Sequence, residues 1–154
     1  MMILCCDVIQ TLRGKTLVTA ESLTGGGIGA ALTSVSGASA VYKGGIISYT
    51  NEIKHKLLGV PMETLDEYGA VSAPTAKAMA EGARKALEAD VAVSVTGLAG
   101  PTGDEFGNPV GTVFIGYSDE KGTLVKPCMF SGDRESIRNQ TIAEALQLIL
   151  DMQK

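Results

Sequence analysis

The chain has 154 residues, 45% of them apolar and 19% charged, with a formal net charge of −4. Residues 1–154 therefore read as one globular domain with enough chain for a real core, and no Lys/Arg block exists to grip nucleic acid. No charged-then-apolar leader is visible, and no apolar run approaches the roughly 18 residues of a membrane helix, so a cytoplasmic protein is expected. Cys5, Cys6 and Cys128 fit a reducing compartment, adjacent Cys5 and Cys6 being a poor disulfide. With His55 as the only histidine, no Cys/His zinc spacing can be written, and no metal or cofactor is expected.

In chain order, residues 2–13 carry apolar positions at helical spacing and stop at Gly14, which predicts a short helix. Residues 15–20 read as a buried strand. It ends at a Ser/Thr/Gly cluster, after which Ile28, Ala31, Leu32 and Val35 predict a helix over 25–35. Val41 to Thr50 contains a second strand, and Thr50 or Asn51 can cap a helix from Glu52 to Leu58. A short helix over 62–68 follows. Ser72 and Pro74 open an amphipathic helix whose inner face holds Ala76, Met79, Ala80, Ala83 and Leu87.

Residues 91–96 alternate valine with smaller residues and form a third strand. Residues 97–109 are a turn-rich loop. Val110 to Tyr117 and Leu124 to Phe130 make a hairpin around Asp119 to Gly122, and a last helix runs from about Asp133 to Met152. Strands alternating with helices, plus one antiparallel hairpin, predict a three-layer α/β/α sandwich with a mixed, mostly parallel sheet.

Chemistry concentrates at Ser22-Leu23-Thr24-Gly25-Gly26-Gly27, a polar turn between strand and helix. Such a turn offers backbone N–H groups and a positive dipole end to an anion or an oxyanion, here with Thr24, Gly25 and Gly26 leaving little bulk. It equally fits a simple helix cap and turn. A serine needs a base to attack anything. Lys54, in the first turn of its helix, can serve if burial and the dipole lower its affinity for a proton. His55, beside two lysines, reads as a surface residue, and no Ser-His-Asp triad is proposed.

Tyr49 ends the second strand, and Thr96 and Gly97 end the third, so they share one rim with Ser22 if these strands run parallel. Arg138 falls inside the core stripe of the last helix, marked by Ile142, Ala145, Leu146 and Ile149, and Arg134 lies at its edge. A guanidinium on a buried face needs a polar partner. Arg138 is thus the first candidate to clamp a phosphate or carboxylate, with Arg134 second, although an internal ion pair with Glu21 or Asp133 fits as well. Asp104 and Glu105 read as solvated loop acids.

Thr19 to Gly26, Ser48 to Lys54, Gly69 to Ser72, Thr96 to Pro101 and Pro109 to Val113 together resemble the CinA C-terminal domain family, in order and over nearly the whole chain. That family contains bacterial nicotinamide-mononucleotide deamidases. The resemblance implies metal-free hydrolysis of the carboxamide of nicotinamide mononucleotide to nicotinate mononucleotide and ammonia. It casts Ser22 as nucleophile, Lys54 as its base with Tyr49 close by, Thr96 as a hydroxyl serving substrate or oxyanion, and one C-terminal arginine as the phosphate contact. The Gly25 to Gly27 amides are the expected oxyanion donors. Longer family members carry an N-terminal nucleotide-binding-like domain, whose activities are not implied here.

Two other functions compete with the deamidase: a non-catalytic nucleotide-binding module that keeps the pocket, and an amidohydrolase acting on a related small amide. The expected partner is a small-molecule substrate, with neither nucleic acid nor membrane involved. Apolar Ala, Val and Ile on the elements would suit a homodimer.

Overall fold

The computed structural model describes residues 1–154. Its helices are α1 (Met2–Thr11), α2 (Gly27–Thr33), α3 (Asn51–Leu58), α4 (Met62–Tyr68), α5 (Ala73–Ala86) and α6 (Arg134–Met152). Its strands are β1 (Leu17–Glu21), β2 (Tyr42–Ile47), β3 (Val91–Gly97), β4 (Thr112–Asp119) and β5 (Gly122–Met129). They form one sheet in the order β2-β1-β3-β4-β5. β1 pairs parallel with both β2 and β3, while β3–β4 and β4–β5 are antiparallel, so β4 alone runs against the other four. The expected α/β/α sandwich with a mixed sheet is what forms.

Helices cover both faces. One core of 23 buried residues joins α1, α2 and α6 to the side of the sheet bearing Leu17, Val91, Val93, Val95, Val113 and Ile115. A smaller core of 9 buried residues joins α3, α4 and α5 to Val18, Ala20 and Ala92 on the other side. The valine-versus-small alternation in β3 follows from this: large residues fill the deep layer, and Ala92 and Ser94 let α5 sit close. The Ser94 hydroxyl donates to the Ala76 carbonyl of α5 at 2.7 Å. β1, central and covered on both faces, is buried along its full length, as expected for a parallel strand between two helical layers.

Differences from the sequence expectations lie at element ends. α2 begins at Gly27 rather than residue 25, because Gly25 and Gly26 adopt φ of +60° and +99° and extend the turn. β1 includes Glu21, whose carbonyl is tied to the Ser48 amide at 2.7 Å beyond β2. α5 ends at Ala86, leaving Leu87 as its half-buried cap. Of the two candidates for the α3 cap it is Thr50 that accepts from the Ile53 amide, Ser72 opens α5 by accepting from Thr75, and Asp133, expected as the start of the last helix, is its cap and accepts from Ser136. No helix is long and apolar enough to cross a membrane.

Gly82 sits inside α5 where that helix crosses the end of α3, and a Cβ there would stand 1.8 Å from the Leu58 carbonyl oxygen. Mid-helix Gly→Ala normally stabilises by about 1 kcal/mol. Here the obstacle is backbone, so overpacking wins. Gly82→Ala is expected to destabilise by about 1–3 kcal/mol, read as a lower urea midpoint. A raised midpoint would show that α5 can slide off α3 freely.

Candidate active site

The carboxyl ends of the parallel strands β1, β2 and β3 meet at one edge of the sheet, the expected place for a ligand in an open α/β fold. A cavity of about 340 Å³ opens there, lined by residues that include Ser22, Leu23, Tyr49, Lys54, Val71 and Arg134, with the 97–100 segment and Thr102 as its far wall. A larger groove of about 590 Å³ lies at the opposite end, between α5 and the β4–β5 turn. It is open and holds mutually opposed surface charges, with the Thr123 hydroxyl donating to the Glu81 carboxylate at 2.8 Å on the exposed surface.

Lys54 enters the cavity because α3 is amphipathic with a short buried stripe. Lys54 and Leu58, one turn apart, are its two buried residues. The Lys54 side chain is 1% exposed, and Nζ lies 3.0 Å from Ser22 Oγ and donates to the Ser48 carbonyl at 2.7 Å. No carboxylate pairs with it. Burial therefore lowers its pKa from 10.5 to about 8, and the start of α3 is no place for a cation either. As an amine, Nζ can accept the Ser22 hydroxyl proton while still donating to Ser48.

The turn that carries Ser22 is held from two sides. Beneath it, the buried Glu21 carboxylate accepts from the Thr24 hydroxyl at 2.6 Å and from the Ile28 and Gly29 amides at 2.9 and 3.0 Å. Beside it, Arg138 donates from Nε to the Leu23 carbonyl at 2.9 Å and from Nη2 to the Thr24 carbonyl at 3.2 Å. Gly25 and Gly27 spend their amides on the Ser22 and Thr24 carbonyls.

Several expected site residues therefore stand elsewhere. Thr24, Gly25 and Gly26 shape the turn and do not line the cavity. The Gly25 and Gly27 amides close tight turns, whereas of the expected glycine donors the Gly26 amide stays open, as do the Leu23 and Thr24 amides next to Ser22 in the chain, none of which meets a protein acceptor. Thr96 is 1% exposed and its hydroxyl donates to the Ala70 carbonyl at 2.8 Å. It thus pins the Ala70–Val71 wall, while neighbouring Gly97 lines the cavity.

The two arginines exchange places. Arg138 faces inward as the stripe requires, but its partners are carbonyls of the Ser22 turn, not Glu21 or Asp133. Arg134 reaches the cavity mouth, where it donates to the Gly100 carbonyl and to the Tyr49 hydroxyl, the latter at 3.1 Å. Asp104 accepts from the Phe106 and Asn108 amides and so folds its own loop. His55 is exposed, its ring nitrogen against the Val60 carbonyl. The sequence reading missed the Ser48 carbonyl and the Ala70–Val71 wall. Both sit inside motifs that carried the resemblance, but main-chain acceptors leave no side-chain signal.

Burying Lys54 opposes stability in a pH-dependent way. Its folded pKa lies below its unfolded one, so the unfolded chain holds the extra proton and stability rises from about pH 8 to 10.5. Lys54→Met removes the titration while keeping the volume. The variant is expected to be the more stable protein at pH 7, and its advantage should shrink by roughly 2–3 kcal/mol by pH 10. Denaturant melts of both proteins across this range check it, and a pH-independent difference would refute the burial effect.

A family model described as the CinA C-terminal domain matches residues 6–153. The chain is 45% identical over 138 residues to nicotinamide-nucleotide amidohydrolase PncC of Escherichia coli K12, across 89% of this chain and 84% of that protein. It is 48% identical over 134 residues to a CinA-like protein of Geobacter sulfurreducens, across 87% of this chain and 32% of that protein. The chain thus spans about a third of the length of several curated relatives that it matches. Among solved structures, competence/damage inducible protein CihA of Agrobacterium tumefaciens superposes with a TM-score of 0.95 at 39% identity, covering 99% of this chain and 95% of that one. Competence damage-inducible protein A of Klebsiella pneumoniae gives 0.95 at 36% identity, covering 97% and 94%. Matched from residue 6 to residue 153, the chain belongs to the CinA C-terminal domain family.

Proposed function

We propose that this protein hydrolyses the carboxamide of nicotinamide mononucleotide, giving nicotinate mononucleotide and ammonia, with Ser22 as nucleophile and Lys54 as its base. The observation that carries this reading is the 3.0 Å contact between the buried Lys54 Nζ and Ser22 Oγ at the cavity floor. The similarity to the Escherichia coli amidohydrolase supports the substrate class.

The steps follow from the residue types. The Lys54 amine takes the hydroxyl proton as Ser22 Oγ bonds to the carboxamide carbon. The tetrahedral oxygen that results is negative and accepts from the Leu23 and Thr24 amides. Lys54, now an ammonium, gives its proton to the departing nitrogen, which leaves as ammonia. Water then attacks the acyl-serine with Lys54 again accepting a proton, and Lys54 returns it to Ser22 Oγ as the C–Oγ bond breaks, which restores the serine and releases the carboxylate product. Arg134, at the mouth beside Tyr49, is the cation placed to meet the substrate's phosphate.

Incubation with nicotinamide mononucleotide should release ammonia, whereas nicotinamide and glutamine should not be turned over comparably. Ser22→Ala is expected to lose about three orders of magnitude or more in kcat. Normal turnover in that variant would sink the nucleophile assignment. Arg134→Ala should raise KM for the mononucleotide about tenfold or more and leave the unphosphorylated riboside unaffected.

The pH profile tests Lys54 separately. Below a pKa of about 8 the amine is protonated, so kcat/KM should climb about tenfold per pH unit from pH 6 and level off above 8. A plateau already reached by pH 6 would exclude Lys54 as the base.

A further inference from the structure

Glu21 is the one buried charged group at this edge of the sheet for which the proposed reaction has no step. It is 2% exposed and has no cationic partner. Its two oxygens instead collect four donors. Oε1 accepts from Thr24 Oγ1 and the Ile28 amide, and Oε2 accepts from the Gly29 amide and, at 3.3 Å, from Thr19 Oγ1. Thr19 Oγ1 is itself fixed by the Tyr42 hydroxyl at 2.7 Å. Across the turn, Arg138 holds the Leu23 and Thr24 carbonyls.

The pair is arranged by charge. The anion takes donors and the cation takes acceptors, and the two side chains reach the backbone between them instead of each other. This arrangement fixes the rotation of the peptide groups on either side of Thr24, and the Gly25 amide on the Ser22 carbonyl fixes the peptide before them. With the Leu23 and Thr24 carbonyls turned to Arg138 and the Ile28 and Gly29 amides turned to Glu21, the Leu23 and Thr24 amides keep no protein acceptor. A hydrogen bond accepted by a peptide carbonyl also strengthens the N–H of the same peptide as a donor. The Leu23 carbonyl and the Thr24 amide belong to one peptide, so the grip of Arg138 bears on the donor beside Ser22.

We infer that Glu21 is a positioning residue for the reaction: its carboxylate locks the Ser22 turn from below, against Arg138, so that Oγ stays on Lys54 Nζ and the free amides face the cavity. Only a carboxylate does this. It is an acceptor on both oxygens, whereas the amide of glutamine would aim an NH2 at an Ile28 or Gly29 N–H that also needs an acceptor. A shorter aspartate keeps both acceptors but cannot reach all four donors from the same backbone position. The inference rests on the Ser22–Lys54 reading above, and a test that does not use the amide substrate separates the two.

That test measures covalent labelling of Ser22 by phenylmethylsulfonyl fluoride, followed by intact mass, alongside ammonia release from nicotinamide mononucleotide. In Glu21→Gln, kcat and the labelling rate should fall together by about 10- to 100-fold. KM should stay within about twofold, and the pH midpoint of kcat/KM should not move, because Lys54 keeps its surroundings. Thr24→Val removes the shortest of the four bonds and leaves the carboxylate in place, so it should give the same pattern more weakly, and it stands in if Glu21→Gln does not fold.

Labelling and kcat at wild-type rates in both variants would overturn the inference. So would a shifted pH midpoint with an unchanged plateau, which would make Glu21 an electrostatic partner of Lys54, or a loss confined to KM. Wild-type protein that is labelled at Ser22 yet releases no ammonia would refute the amidohydrolase reading alone, with the labelling rates still judging Glu21. Wild-type protein that is neither labelled at Ser22 nor releases ammonia would overturn both.

Discussion

The structure depends on placing one amine out of water without an anion beside it. A lysine buried to 1% exposure with only a serine hydroxyl and a carbonyl for company is unfavourable for the folded state, because the ammonium loses its hydration and gains no countercharge. The rest of the fold makes that placement unavoidable. α3 is capped by Thr50, begins directly beyond β2, and carries Leu58 into the smaller core one turn after Lys54. With Leu58 committed to the interior, Lys54 must point inward too, since residues four apart on a helix share a face.

The sheet fixes where that amine arrives. Parallel pairing of β1 with β2 and β3 brings three strand exits to one edge, with β1 in the middle. Ser22 leaves the central exit, Ser48 and Tyr49 the outer one and Gly97 the third. The backbone bond from Ser48 to the Glu21 carbonyl stitches the first two exits together just where Ser22 follows. β4 and β5 contribute no residue to the cavity lining. They extend the hydrophobic layer that α5 and α6 cover, and the 98–111 loop folds back over the cavity as the chain reverses direction into β4.

Rigidity is distributed unevenly around the cavity. The Ser22 turn has every side chain from Glu21 to Thr24 buried and is braced by a carboxylate and a guanidinium. The opposite wall is loop, held by the Thr96 hydroxyl on Ala70 and by the Asn108 side chain on the Val71 carbonyl. The proposed nucleophile and the open turn amides thus sit on the stiffer side, where a reaction of the kind proposed is most sensitive to sub-ångström placement. Arg134 and Tyr49 sit on the exposed mouth, where a ligand can still rearrange them.

The sequence alone determined the elements and their layers, because hydrophobic spacing is a local quantity: period-two valines for β3, the Ile142 to Ile149 stripe for α6, and Ser72 with Pro74 at the start of α5. It also singled out Ser22 and Lys54, since a hydroxyl after a strand and a lysine sharing a helix face with leucine are both visible in one dimension. Tertiary structure decided which amides of the Ser22 turn stay without an acceptor. The Gly25 and Gly27 amides are spent on carbonyls three residues back, and the Ile28 and Gly29 amides on a carboxylate seven and eight residues back, which no composition rule anticipates. It also decided between the arginines. The helical stripe turns Arg138 inward but carries no information about what lies opposite. Packing α6 against the turn supplies the Leu23 and Thr24 carbonyls to Arg138 and leaves Arg134, one turn earlier and closer to solvent, at the mouth.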